Sequence, residues 1–215
     1  MFSFIGVYEG VEFIKVSIAF LCAIIIALSL HEFAHAYVAY KCGDNTPKMQ
    51  GRVSINPLKH IDPVGFVCCA LFGFGWARPV QVNPNNFRNI KKGQGWTSVA
   101  GVLMNLFLGF IGCGLYTALS NFAVNNALFD VLLYFLYFTF FINICLAVFN
   151  ILPIYPLDGF KLVENYTKYG NGYVNFMYRY GNLILLAVVL LFSELLSMLI
   201  SFIVLPISLF WGLIF

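Results

Sequence analysis

The stretch that decides the fold reads VSIAFLCAIIIALSLHEFAHAYVA and runs from residue 16 to residue 39. About 20 mostly apolar residues are enough for a helix to cross the hydrocarbon core of a bilayer. This stretch is that long, and its ionisable groups are His31, Glu32 and His35, all near its end. It therefore predicts a transmembrane helix that carries polar chemistry inside the membrane.

The composition of the whole chain agrees with a membrane protein. Of its 215 residues, 61% are hydrophobic and 10% are charged, whereas soluble domains have about 25% charged residues. The net charge is only +3, and there is neither a dense Lys/Arg helix nor an acidic tail, so we expect no nucleic-acid partner. The six cysteines show no C-x-x-C spacing and are interpreted as small apolar residues of helices.

Further apolar stretches predict an all-α polytopic membrane protein with about four transmembrane helices in a single domain, residues 1–215. The predicted spans lie at approximately residues 16–39, 96–120, 127–150 and 181–205. The N-terminus lacks the features of a cleavable signal peptide, so we expect the first span to be retained. An apolar tail follows Pro206 and either extends the last span or lies along the interface.

The basic residues predict the orientation. Eight of the twelve Lys and Arg residues lie between the first and second spans and three between the third and fourth, while the 121–126 loop has none. Loops rich in Lys and Arg stay in the cytosol, so the N-terminus is predicted to be outside. We expect an integral protein of the cell membrane, plasma or inner, with the histidines in the cytosolic half.

The H-E-x-x-H string in the first span predicts a zinc site. His31 and His35 are four residues apart, so on a helix they share one face and can bind one metal ion. Glu32 lies beside them, where it can act as general base towards water in the open coordination position. Such strings arise by chance, but ionisable groups in a membrane span each cost about 2.5 kcal/mol or more when unpaired. A shared metal explains why they occur together.

A catalytic zinc site has three protein ligands and one open position. Asp158 follows the third span at its cytosolic end, in the sequence NILPIYPLDG from residue 150 to residue 159. Prolines break a helix, and irregular backbone at membrane depth is tolerated where it is buried in protein or lines a cavity. Topology therefore favours Asp158 as third ligand over acidic residues on the opposite side, such as Glu9 and Asp130.

The combination of H-E-x-x-H in a span with N-x-x-P-x-x-P-L-D-G further along resembles the site-2 protease family, the intramembrane zinc metalloproteases of peptidase family M50. The resemblance covers nearly the whole chain and includes GRVSINPLKHIDP at 51–63, GWARPV at 75–80 and AGVLMN at 100–105. One departure is Val102, where the family usually has proline. We expect a minimal form, without an appended PDZ or CBS domain.

The resemblance implies that His31, His35 and Asp158 bind one catalytic zinc ion and that Glu32 is the catalytic base. It also implies that Asn150 positions the substrate or the oxyanion. Asn105, a polar residue within the second span, can either form an interhelical hydrogen bond or face the catalytic cavity, where it is a second candidate for that positioning.

The predicted function is a zinc-dependent intramembrane endopeptidase that hydrolyses peptide bonds in or near transmembrane segments of membrane proteins, close to the cytosolic side. Its expected partners are a transmembrane protein substrate and the lipid bilayer. The alternative is a non-proteolytic membrane metal-binding or transport protein. Glu32 argues against it, because a transporter has no need of a general base beside two metal ligands.

The apolar residues 64–76, between Pro63 and Pro79, are too few to span and predict a re-entrant or interfacial loop. The strand-like residues 80–82 follow, and their edge can pair with an unwound substrate. The alternative is a loop that only shields the site. His60 is interpreted either as an ordinary polar loop residue or as a gate near the active site.

Overall fold

The computed structural model describes residues 8–72, 75–122, 124–168 and 170–215, and most of these residues are helical. The helices are α1 (Gly10–Lys41), α2 (Thr46–Met49), α3 (Pro63–Phe72), α4 (Ile90–Ser120), α5 (Ala127–Asn150), α6 (Asp158–Tyr166), α7 (Gly172–Leu191) and α8 (Ser193–Gly212). The described residues contain no β-strand beyond an isolated antiparallel bridge between Ile61 and Ala77. The expected all-α polytopic class is confirmed.

Asparagine residues are the N-caps of three of the long helices. Asn89, Asn126 and Asn171 each accept a hydrogen bond from a backbone N–H in the first turn of α4, α5 and α7 respectively. The first N–H groups of a helix have no partner within the helix, and an asparagine oxygen before the first turn supplies one. These caps set where the helices that surround the site begin.

The core is formed by α1, α4 and α5, which pack on one another. Small and apolar residues of α1 share one face, which packs against Phe138 and Ile142 of α5. Those residues of α1 are Val16, Ala19, Ala23 and Ala27. Small side chains let membrane helices approach closely, so α1 is held firmly against α5 along the half that precedes its histidines.

The predicted fourth span, residues 181–205, differs from the structure, because a break at Phe192 divides that region between α7 and α8. As a result, five helices in the described part of the chain are long and apolar enough to cross a membrane. Neither proline nor glycine marks the break, but Glu194 lies in the first turn of α8, where a carboxylate meets the positive end of the helix dipole. The tail after Pro206 extends α8, which continues through the proline.

Two hydrogen bonds show at which end of the bundle α7 begins and at which end α8 stops. Tyr178 of α7 donates a hydrogen bond to Glu164 of α6 at 2.5 Å. At the other end of the bundle Asn121, which follows α4, donates to the carbonyl of Phe215 at 3.1 Å. The pair therefore makes one net passage between the two ends of the bundle, as a single fourth span does.

α7 also covers the proline-containing loop between α5 and α6. Its Met177 joins three buried side chains of that loop and of α6, namely Ile154, Leu157 and Phe160. Phe160 is 1% exposed, so this contact is fully closed to solvent. α7 thus supports the segment from which Asp158 projects.

α3 and residues 75–77 pack against each other beside α1, and these two segments together are called the hairpin here. The Ile61–Ala77 bridge and a 2.7 Å hydrogen bond from the backbone N–H of Arg78 to the His60 carbonyl join its two ends. Gly73 and Phe74, within the predicted re-entrant or interfacial loop, lie outside the described residues. A small cavity separates the hairpin from the middle of α1. Its lining includes Ile24 and Leu28 of α1, Phe66 and Cys69 of α3, and Trp76.

Candidate metal and active site

Two separate elements bring His31, His35 and Asp158 together. The histidines lie one turn apart on α1, and the loop after α5 folds back so that α6 begins at Asp158. His35 Nε2 lies 2.9 Å from Asp158 Oδ2 and 3.0 Å from His31 Nε2. His31 Nε2 lies 3.2 Å from the same carboxylate oxygen. The three residues that the sequence singled out as zinc ligands therefore meet at one point.

The arrangement of these atoms fits a zinc ion. Zinc bonds of about 2.0–2.2 Å in a tetrahedral site put ligand atoms about 3.3 Å apart, close to the separations found here. His35 Nδ1 lies 2.6 Å from the carbonyl oxygen of Thr97. A carbonyl only accepts, so Nδ1 carries the proton and Nε2 of the neutral ring presents a lone pair. A cation at the meeting point would satisfy this lone pair together with the carboxylate.

The cluster is buried. The exposed fraction is 6% for His31, 7% for His35 and 4% for Asp158. Burial raises the pKa of the Asp158 carboxyl, but the adjoining imidazoles of His35 and His31 and the charge of Lys161 together hold it well below its usual range. Lys161 donates to Asp158 Oδ1 at 2.9 Å, which leaves Oδ2 directed at the histidines.

Two glycines permit the close approaches that build the cluster. A Cβ at Gly101 of α4 would lie 2.5 Å from His35 Nε2 and 2.6 Å from His31 Nδ1. A Cβ at Gly159 would lie 2.5 Å from the carbonyl oxygen of Leu152, in the loop before α6. A side chain at either position would displace the metal-binding atoms or the turn that presents Asp158.

Glu32 is half-buried and has one of its two carboxylate oxygens fixed. Its Oε2 accepts a hydrogen bond from the backbone N–H of Val80 at 2.9 Å. Its Oε1 has no hydrogen-bond partner in the part of the chain that the structure describes. Glu32 lines the same cavity as His31 and Asp158. A carboxylate held in this way has one oxygen left to accept a proton.

The cavity is large, about 1680 Å³, and mostly apolar side chains line it. It extends from the metal-binding cluster to the opposite end of the bundle, where Glu12 and Asp130 line it. The helices that contribute to its wall include α1, α5, α7 and α8. An apolar cavity between membrane helices, with charged groups only at its ends, can hold an apolar segment of another chain.

The two asparagines singled out from the sequence have different surroundings. Asn150, at the end of α5, lines the cavity and donates to the carbonyl of Leu146 at 3.0 Å. Asn105 is 0% exposed, and neither atom of its carboxamide has a hydrogen-bond partner among the described residues. It is not among the residues that line the cavity. Asn150 therefore lies on the cavity wall and Asn105 does not, and the positioning role of each stays a prediction.

Three contacts of the site were not predicted from the sequence. Lys161 lies three residues after Asp158, a spacing that favours an ion pair once both are placed on one helix. Thr97 and Val80 take part through backbone groups, which every non-proline residue has. The sequence therefore contained a signal for Lys161 but none for the other two.

Comparisons with known proteins agree with this geometry. The family model described as "Peptidase family M50" matches residues 117–192, which contain Asn150 and Asp158. The chain is 42% identical over 144 residues to "Putative zinc metalloprotease YwhC" of Bacillus subtilis, a match that covers 66% of each protein. This chain belongs to peptidase family M50. The resemblance inferred from the motifs is confirmed.

The M50 chain is similar to actinobacterial proteins as well. It is 29% identical over 158 residues to "Putative zinc metalloprotease Rip2" of Mycolicibacterium smegmatis, covering 71% of this chain and 59% of that protein. It is 27% identical over 153 residues to the protein of the same name in Mycobacterium tuberculosis, covering 67% and 55%. The matches span 55–66% of these relatives' lengths. No solved structure gave a significant match.

Proposed function

We propose that this M50 chain is a zinc-dependent endopeptidase that hydrolyses peptide bonds in or near transmembrane segments of membrane proteins. His31, His35 and Asp158 hold one catalytic zinc ion, and Glu32 is the general base. The observation that carries the proposal is the convergence of three ligand atoms, all within 4.8 Å of one another, at the wall of an apolar cavity.

A transport function has less support. Within the described residues, His31, His35 and Asp158 are the one group of three or more His, Cys, Asp or Glu side chains that could hold a metal ion. A pathway across the membrane needs several polar sites at different depths, because ions and charged groups are unstable in the hydrocarbon. A single buried site beside a carboxylate with one unpartnered oxygen favours hydrolysis.

The residues around the site have separate tasks in the proposed reaction. When bound, zinc activates water near neutral pH and polarises a carbonyl group. Glu32 Oε1 accepts a proton from the attacking water and delivers it to the leaving amine. The Thr97 carbonyl fixes the tautomer of His35, and Lys161 fixes the rotation of the Asp158 carboxylate. Asn150, on the cavity wall, positions the substrate.

A helical substrate must unwind before it can be cut, because the carbonyls of a helix are hydrogen-bonded and shielded. The segment after the hairpin provides one edge for such a chain. Its Val80 N–H is already bound to Glu32. Because N–H groups alternate between the two edges of a strand, the Gln81 N–H faces the opposite edge, and an added substrate strand would pair there. The hairpin beside α1 is proposed to be re-entrant and to shield the site from lipid.

The proposed orientation has the N-terminus outside and the metal site in the cytosolic half of the membrane. Two observations support it. Eleven of the twelve Lys and Arg residues lie within residues 41–92 and 161–179, the two segments expected on the side where α1 ends. His31 and His35 lie in the last third of α1, close to that side.

The test compares the wild type with Glu32→Gln in liposomes that contain a panel of tagged single-span test proteins. The panel varies the Gly, Pro and Asn content of the transmembrane segment, and mass spectrometry locates each cut. We expect the wild type to cut within or near the segment and Glu32→Gln to lose cleavage by about 10³-fold. Bound zinc, measured by inductively coupled plasma mass spectrometry, should stay at one ion per chain in both.

Glu12→Gln is the matched control, because it makes the same exchange at the opposite end of the same cavity. We expect it to cut at the wild-type rate. Cleavage that persists in Glu32→Gln would exclude the proposed mechanism. A wild type that binds zinc but cuts none of the panel would remove the endopeptidase proposal.

A further inference from the structure

A buried arginine without a carboxylate partner lies close to the general base. Arg52 is 6% exposed, and its Nη1 donates to the backbone carbonyls of Lys59 and Arg78, the latter at 3.3 Å. No carboxylate lies within ion-pair distance of it among the described residues. Burying a charge costs several kilocalories per mole unless an opposite charge and hydrogen bonds compensate for it. A buried guanidinium without a carboxylate partner therefore indicates a specific role.

The carbonyl that Arg52 holds is connected directly to the amide that holds Glu32. The carbonyl belongs to Arg78 and the amide to Val80, which donates to Glu32 Oε2 at 2.9 Å. Pro79 stands between them, and its ring fixes φ near −65°. The two groups are thus joined by a stiff link, and a shift of the Arg78 carbonyl is passed on to the Val80 N–H.

The backbone N–H of Arg78, at the start of this link, is also hydrogen-bonded. The Arg78 N–H donates to the carbonyl of His60 at 2.7 Å, next to the Ile61–Ala77 bridge. His60 is 0% exposed, and its Nε2 donates to the carbonyl of Ser54 at 2.7 Å. Arg52 lies between the two paired segments and donates to one carbonyl in each. It therefore joins the 57–61 segment to the 77–80 segment.

Electrostatics agree with this placement. Burial and the neighbouring charge of Arg78 lower the pKa of Arg52, while the charge of Glu32 raises it. Glu32 thus attracts the guanidinium although the two side chains do not bond. Arg88 carries the same charge between α1 and α4, but its side chain is exposed and makes no hydrogen bond or ion pair with the described residues, so it can serve as a control.

We propose that Arg52 is a positioning residue for the general base, acting on Glu32 through the Arg78 carbonyl and the Val80 N–H. The inference rests on the proposed role of Glu32. Without the guanidinium the 78–80 segment loses its anchor, and Glu32 Oε2 loses a fixed donor. The carboxylate then turns away from the reacting water, while the metal ligands, which are held by other contacts, stay in place.

The test measures kcat, KM and bound zinc for Arg52→Met, Arg52→Lys and Arg88→Met on one panel member that the wild type cuts. We expect Arg52→Met to lower kcat about 10–100-fold, the usual effect of losing such a supporting contact, with KM within twofold and zinc at one per chain. Arg52→Lys should recover part of kcat, because an ammonium can donate to both carbonyls. Arg88→Met should keep kcat within twofold. An equal loss in Arg88→Met would show that charge alone matters and would overturn the proposal.

A double substitution tests whether the effect passes through Val80. Val80→Pro removes the donated N–H, so Arg52→Met combined with Val80→Pro should be no slower than the slower single variant. Losses in kcat that multiply would mean independent actions and would contradict the proposal. If Arg52→Met fails to fold, as reduced zinc content would reveal, Arg52→Lys and Val80→Pro decide the question by the same comparison.

The outcomes separate this inference from the proposed function. A wild type that does not cut the panel removes the endopeptidase proposal. An Arg52→Met variant with full kcat, beside an inactive Glu32→Gln variant, removes only the role of Arg52.

Discussion

The two ends of the cavity hold two ionisable clusters that share helix α1. The inner cluster consists of His31, His35 and Asp158, and the outer cluster consists of Glu12, Lys15, Asp130 and Tyr134. In the outer cluster Lys15 Nζ lies 2.6 Å from Asp130 Oδ2 and 3.1 Å from Glu12 Oε2. Tyr134 donates to the other oxygen of Glu12 at 2.7 Å. Both clusters join α1 to another part of the chain.

The difference lies in the balance of donors and acceptors. The outer cluster contains its own cation, and the Lys15 ammonium and the Tyr134 hydroxyl supply a proton for each close contact. In the inner cluster two ring nitrogens and a carboxylate oxygen meet, while Lys161 bonds the other carboxylate oxygen. The outer cluster can therefore stabilise the fold by itself, whereas the two ring nitrogens and the carboxylate oxygen of the inner cluster suit the proposed zinc ion.

Asp158→Ala is expected to have the largest effect, because it removes the acceptor that carries the negative charge. We expect zinc affinity to fall by more than about 100-fold and bound zinc to fall from one per chain to a small fraction of that. Asp130→Ala, which removes a carboxylate from the outer cluster, is the control and should bind zinc normally. Unchanged metal content in Asp158→Ala would remove this residue from the ligand set.

Gly101→Ala is expected to have an intermediate effect. The added methyl group would lie 2.5 Å from His35 Nε2, so the histidines must move, and zinc affinity should fall about 10–100-fold. Gly109→Ala makes the same exchange two turns later on α4, where the methyl meets the flexible end of Ile144 at 2.7 Å. Titration with zinc of both variants measures the difference. Equal losses would show that general packing of α4, rather than contact with the histidines, sets the affinity.

Lys15→Met is expected to have the smallest effect and to leave the chemistry intact. It leaves two carboxylates near each other without their cation, so the midpoint of thermal unfolding should fall by about 2–4 °C. Zinc content and the cleavage rate should stay at wild-type values, and Lys15→Arg should restore the midpoint. A Lys15→Met variant that lost zinc would break the distinction between the two clusters.

The inner cluster could be predicted from the sequence and the outer one could not. Two histidines four residues apart, and an acid in a proline-broken segment at the same depth, are signals of residue type and spacing. Lys15 and Asp130 are 115 positions apart in the chain, and each alone resembles an ordinary charged residue near a span end. The contacts made by Thr97 and Val80 were beyond sequence reasoning because backbone groups do not depend on residue type.

The helical class followed from the apolar stretches, but the division of the last one did not. Hydropathy is continuous through Phe192, so it gives no sign of the break between α7 and α8. The signal that was present is local, since Ser193 and Glu194 are residues that favour a helix start. At Pro206 the sequence left two alternatives open, and the structure shows that the tail extends the last helix. The proline removes one hydrogen bond, a loss that membrane helices tolerate, and α8 continues beyond it.

The cover that α7 places over the loop before α6 has a consequence for pharmacology. Met177 packs against Phe160, which lies two residues after Asp158 on α6. A compound that bound between Met177 and Phe160 would tilt α6 and move the Asp158 carboxylate away from the histidines. A displacement of about 1 Å is enough to inactivate a site of this kind. Such an inhibitor needs no metal-chelating group, so it would not inhibit the many other metalloenzymes that chelators inhibit.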